Sequence, residues 1–168
     1  MAIPLEGLYV QKALGPGKIP RYNPISNIRT FAAGGAILAG RAVMGDSSDP
    51  ILCYTYGTVG RKFLGVSCLA TDTHEADETI PAYRTGDAVG VMDQGVIMVF
   101  AEEAIALGDP VRIRHTADTG KVAGSFCKTA DANKTCLVSG AEYRSVTTTS
   151  GQSVELYLDA VLSVTADT

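Results

Sequence analysis

The chain has 168 residues, 46% of them hydrophobic and 19% charged, with a formal charge of −4 and four cysteines. That length suits a single domain with an apolar core built without metal or disulfide staples, and the mild acidity argues against broad phosphate-backbone binding, so no direct nucleic-acid partner is expected. No run of about 20 apolar residues is present to span a bilayer, and Met1-Ala2-Ile3-Pro4-Leu5-Glu6 lacks the positive segment and apolar stretch of an export signal, so the expectation is synthesis in a cytoplasm and no membrane partner.

Residues 1–30 differ in texture from everything after them. Pro4, Pro16, Pro20 and Pro24 punctuate the stretch, and Gly15-Pro16-Gly17 interrupts any regular element. Tyr9, Lys12, Lys18, Arg21, Tyr22 and Arg29 put aromatic and basic groups on it, with few acidic residues after Glu6. The pattern predicts an extended N-terminal arm over 1–30 and a single β-rich domain over 31–168. Such an arm either straps its own domain or reaches across a neighbouring subunit, where Arg and Tyr side chains can anchor a polar surface.

Three times the chain writes a glycine and then a valine entering an apolar stretch: Gly40-Arg41-Ala42-Val43, Gly86-Asp87-Ala88-Val89 and Gly108-Asp109-Pro110-Val111. Each predicts a tight turn feeding a strand. Strands are expected at 41–44, 51–56, 62–70, 87–92, 95–101, 110–115, 121–127, 135–139 and 153–164. Asp93, Gln94 and Gly95 are expected to turn the chain between the fourth and fifth of these. The segment 101–107 predicts the one short helix, from its strong helix formers and early acidic residues, with Glu102 and Glu103 outward. Val154, Leu156 and Leu158 alternate with Glu155, Tyr157 and Asp159, which predicts a half-buried strand. Many short strands at this spacing favour an all-β, jelly-roll-like or small-barrel domain.

Little of the sequence carries chemistry. Asp72-Thr73-His74-Glu75-Ala76-Asp77-Glu78 combines an imidazole with four carboxylates, yet it has neither calcium-loop nor zinc-helix spacing and predicts a solvated acidic loop. Two histidines exist, neither in a nucleophile elbow or hydrolase motif, and the hydroxyls of 147–150 suit a loop. No catalytic, cofactor-binding or metal-ligating residues are assigned, and the chain is not expected to be an enzyme. On a strand over 110–115, alternation places Arg112 and Arg114 on one face and Val111, Ile113 and His115 on the other, making the two arginines interaction candidates. Tyr54 and Tyr56 followed by Arg61 and Lys62 form a weak stacking-plus-charge pattern. Cys127 and Cys136 could meet if the intervening segment is a hairpin, and otherwise are buried thiols.

The arm, Ile37-Leu38-Ala39-Gly40-Arg41-Ala42-Val43, Phe63-Leu64-Gly65-Val66-Ser67-Cys68, Tyr83-Arg84-Thr85-Gly86-Asp87-Ala88-Val89-Gly90-Val91, Gly95-Val96-Ile97-Met98-Val99 and Ala106-Leu107-Gly108-Asp109-Pro110-Val111, in that order, resemble the structural cement, or head decoration, proteins of tailed bacteriophages. The resemblance covers about residues 30–160. It implies a non-enzymatic protein on the outer surface of the virion that binds the assembled head and stabilises it by bridging adjacent major capsid protein subunits. It also implies a tethering role for the arm, placed here on Tyr9, Lys12, Lys18, Arg21, Tyr22 and Arg29. Retention by several attachments favours a homo-oligomer, dimer or trimer. A β-sandwich ligand- or carbohydrate-binding module is the alternative, and it calls for a concave polar or aromatic pocket.

Overall fold

The computed structural model describes residues 15–20, 26–69 and 83–167. These form nine strands and no helix: β1 (Asn27–Ala33), β2 (Ala42–Gly45), β3 (Leu52–Thr55), β4 (Phe63–Ser67), β5 (Ala88–Ala101), β6 (Arg112–Arg114), β7 (Phe126–Cys127), β8 (Thr135–Tyr143) and β9 (Gln152–Ala166). The glycines of the three turn entries sit at positive φ, Gly40 at 69°, Gly86 at 91° and Gly108 at 85°, as a tight turn into a strand requires.

The strand order is β1-β3-β2-β4-β5-β7-β6-β8-β9, with further pairings of β1 to β5 and β5 to β9. Those two extra pairings close the sheet twice. β1, β3, β2, β4 and β5 make a first ring of five strands, and β5, β7, β6, β8 and β9 make a second. Closure pairs sheet edges that would otherwise template aggregation.

β5 belongs to both rings. Its first half pairs with β1 and β4, from Ala32↔Ala88 to Asn27↔Gln94, and its second half pairs with β9, from Gly95↔Leu158 to Ala101↔Gln152. The turn expected at 93–95 is therefore absent, and one strand of 14 residues replaces the predicted pair. Gly95, at φ 120°, marks the hand-over between partners. Ladder bonds on both sides outweigh the local turn preference of Asp-Gln-Gly.

Each ring has its own core. Val43, Cys53, Leu64, Val89 and Val91 pack with Ile37 and Tyr83 inside the first. Ile97, Val99, Ile113, Phe126, Val154, Leu156 and Leu158 fill the second, joined by Ala42, Tyr56, Val66 and Met92 from the first ring's far side. The predicted alternation of β9 holds, since Val154, Leu156 and Leu158 are all fully buried.

The segment 101–107 is not helical. Ala101 ends β5, Ile105 is buried, and the Ile105 N–H donates to Thr147 Oγ1 at 2.9 Å. Glu102 and Glu103 turn inward, onto partners from distant strands, and these bonds replace those of a two-turn helix that could not stand alone. Cys127 and Cys136 are free and buried, as are Cys53 and Cys68. Their strands flank β6 on opposite sides rather than forming a hairpin, so about 10 Å separates them, beyond disulfide reach.

Candidate interaction surfaces

The arm's last part is tied to its own domain at one crossing. The Gly17 N–H donates to Met98 O at 2.7 Å, the Met98 N–H donates to Lys18 O at 2.9 Å, and the Leu69 N–H donates to Gly17 O at 2.8 Å. Pro16 and Gly17 thereby lie against Gly40. A Cβ on Gly40 would sit 2.6 Å from Pro16 Cβ, and one on Gly17 would sit 2.8 Å from the Leu69 nitrogen. Two glycines let the crossing close. The Lys18 side chain stays exposed beside β5.

Of the basic and aromatic residues expected to make contacts, Tyr9, Lys12, Arg21 and Tyr22 lie outside the described residues, as does the acidic segment 72–78. Arg29 is on β1, which begins inside the stretch read as arm. Its side chain is 45% exposed, bonds Asp93 of β5 at 2.7 Å and lies 5.7 Å from the Phe31 ring centroid.

The two arginines of β6 do not share an outward face. Arg112 is largely covered, pairing with Asp167 at 3.1 Å and donating to the Lys128 carbonyl at 2.5 Å. The Arg114 side chain is 1% exposed and forks onto both Glu102 oxygens at 2.7 and 2.9 Å, with Asp131 at 3.1 Å. Arg114 presents no surface. The alternation itself holds, with Val111 and Ile113 toward the core and the arginines on the other face, but β6 is covered on both faces, so the arginine face is not a free surface. Burial raises the Glu102 carboxyl above its ordinary value, and the Arg114 guanidinium offsets only part of that rise. Both Glu102 contacts come from Arg114 Nε, and Nη1 goes to Asp131, so the guanidinium is held by charge-assisted bonds in two directions.

Around this pair the sequence pattern gave little warning. Arg41, 2% exposed, donates to Ser125 Oγ and stacks 4.3 Å from the Phe100 ring centroid. A lone cation inside Ile37-Leu38-Ala39-Gly40-Arg41-Ala42-Val43 is the signal that could have marked it as an internal anchor. Glu103 accepts from the N–H groups of Lys128 and Thr129, both at 2.8 Å, and from Thr129 Oγ1. Burial pushes its carboxyl up, but these three donors outweigh it and hold the carboxyl low.

The described residues contain no group of three or more His, Cys, Asp or Glu placed to hold a metal ion. Burial pushes the Cys53 and Cys68 thiols up to about 11 and the Cys127 thiol up to about 12, so all three are neutral and poorly nucleophilic at physiological pH.

A groove of about 280 Å³ lies between the turn joining β3 to β4 and the distal half of β9. Val59, Arg61, Lys62 and Phe63 form one wall, and Leu162 and Val164 form the other. Tyr56, 1% exposed, closes the floor, its ring edge-on to Phe63 with centroids 6.0 Å apart. Tyr56 and Tyr54 thus make no exposed stacking platform. Tyr54 is half-buried, packed so closely on Gly34 that a Cβ there would lie 2.1 Å from its ring. Beside the groove, Asp159–Leu162 bulges out of the β8–β9 ladder between Ser139↔Ser163 and Ala141↔Leu158, leaving Val161 81% exposed.

Comparison with protein families matches residues 7–159 to a family described as "Structural cement protein (E217 gp24/Pam3 gp6)". Among solved structures, the chain is similar to a chain of "The capsid of Myoviridae Phage XM1", with a TM-score of 0.69 and 14% identity over 94% of this chain and 98% of the other. It is also similar, at a TM-score of 0.45 and 17% identity over 81% of this chain and 96% of the other, to "head fiber gp8.5 N base in bacteriophage phi29". No curated protein matches.

Proposed function

The chain belongs to the phage structural cement protein family, and from that premise we propose that it decorates the outer surface of the assembled phage head and stabilises it by bridging adjacent major capsid protein subunits. The observation that carries this reading is the family match over residues 7–159, almost the whole chain. The architecture supports it. A double ring with a buried ionic network is a stiff scaffold, and among the described residues Arg114, Glu102 and Glu103 are spent on internal bonds.

Stabilisation of this kind is mass action: the protein binds the assembled shell better than free capsid subunits, and so adds its binding free energy to the assembled state. A homo-oligomer, dimer or trimer, strengthens retention because each further attachment is made at high effective concentration. The arm carries the tether, with Tyr9, Lys12, Lys18, Arg21, Tyr22 and Arg29 as its contacts. Arg112 contributes at most an edge to such a surface, and Arg114 serves inside the subunit.

The test adds purified full-length protein to expanded shells lacking decoration and images them by cryo-electron microscopy. Regular external density is expected; its absence at saturating protein overturns the reading. A variant lacking residues 2–14 keeps the crossing at Gly17 and all of β1, and it should occupy shells more weakly while staying β-rich by circular dichroism. Cutting as far as residue 29 would remove Asn27, Ile28 and Arg29 from β1 and with them half of its six pairs with β5.

A further inference from the structure

The groove between the β3–β4 turn and β9 is occupied by neither the arm crossing nor either core. Leu162 and Val164 alternate on β9, so both face it, and Val59 and Phe63 face them across it. Within this cleft, lined by polar and apolar groups in similar measure, Arg61 Nη1 is buried and has no hydrogen-bond partner. The nearby Asp46 carboxyl is lowered chiefly by the Ser48 and Asp49 donors on its Oδ1 and least by the Arg61 charge, and it makes no hydrogen bond to Arg61 Nη1. Lys62 is exposed at the rim, and among the described residues no carboxylate lines the groove.

A desolvated guanidinium N–H without an acceptor is penalised, and a carboxylate relieves that penalty most fully because it matches the guanidinium fork. Two cations on a chain of net charge −4 make the groove a local positive spot, selective for an acidic segment. Resting on the cement reading above, we propose that this groove docks an extended, carboxylate-bearing apolar segment of the major capsid protein. Its Asp or Glu pairs with Arg61, and its apolar neighbours lie on Phe63, Leu162 and Val164. Arm and groove then give each subunit two separate attachments, which is what bridging two capsid subunits needs.

The test places a photo-reactive benzoylphenylalanine at Leu162 of the full chain, bound to purified undecorated shells, and identifies the cross-linked peptide by mass spectrometry. The expected product is a capsid peptide with Asp or Glu among apolar residues. Arg61→Glu should raise the concentration for half-occupancy at least tenfold, while Arg84→Glu, the same charge change at an exposed position elsewhere, should leave it within twofold. If Arg61→Glu lowers the thermal midpoint of the free protein, Lys62→Glu replaces it, with at least a threefold weakening expected.

Cross-links to another copy of this chain, or unchanged binding by the groove variants, overturn the groove assignment and leave the cement reading standing. Shells that the unmodified protein does not occupy overturn both.

Discussion

The two rings share a strand and have five strands each, yet they are held by different physics. The first is closed over Val43, Cys53, Leu64, Val89 and Val91, and its buried polar groups are uncharged hydroxyls: Tyr83 donates to the Cys68 carbonyl at 2.6 Å and Ser67 to the Leu38 carbonyl at 2.7 Å. The second is closed over Ile113, Phe126, Val154, Leu156 and Leu158, and on the other face of β6 it carries the covered Arg114–Glu102–Asp131 network and the buried Thr135 hydroxyl. Apolar packing is non-directional and tolerates exchange of shapes. A buried ion pair is fixed in place by its geometry and is punished when one partner is lost. The first ring is therefore held by volume and the second by position, so they should fail differently.

The largest expected effect comes from Arg114→Met, which leaves Glu102 and Asp131 without their cation in the second ring. A loss of about 3–5 kcal/mol in urea unfolding is expected, and adding Glu102→Leu should restore at least half of it. A single-variant loss below about 1 kcal/mol would show that position is not what holds this ring.

Next in size is Leu64→Ala in the first ring. It should cost about 2–4 kcal/mol, by the same amount at pH 5 and pH 8 and at low and high salt, since the change is one of volume. A salt- or pH-dependent loss would erase the contrast between the rings.

The smallest effect concerns acid. Burial first, and then the Arg114 charge, lowers the His115 imidazole from its ordinary 6.5, with Asp167 opposing. The unfolded chain therefore takes up a proton that the folded chain resists. This contribution is whole above pH 6.5 and is lost as pH falls from there through the lowered folded value. His115→Gln should flatten the pH dependence of the unfolding midpoint between pH 7.5 and 5, and an unchanged slope would remove His115 from the contrast.

What could be read along the chain was local. The three glycine turn entries and the alternation of Val154, Leu156 and Leu158 follow from φ preference and a period of two, and both hold. What could not be read was set by partners far away in sequence. Asp93-Gln94-Gly95 has turn chemistry, but Asn27 and Leu158 pair on either side of it and keep the strand extended. Residues 101–107 have helix propensity, yet Arg114, Lys128 and Thr129 claim the two glutamates. The groove joins a turn near residue 60 to a strand end near residue 164, and Arg61 and Lys62 alone carried no hint of that wall.

The shared strand also sets how the molecule bears load. In a protein of two separate domains, tension crosses a non-covalent interface or a linker, and the weaker of these yields first. Here a pull entering one ring continues along the peptide backbone of β5 into the other. Separating the rings would mean shearing the six-pair ladder with β1 or the seven-pair ladder with β9, whose bonds break together rather than one at a time. On the role proposed above, such a subunit would act on a strained shell as a tie-rod whose core is a single covalent strand.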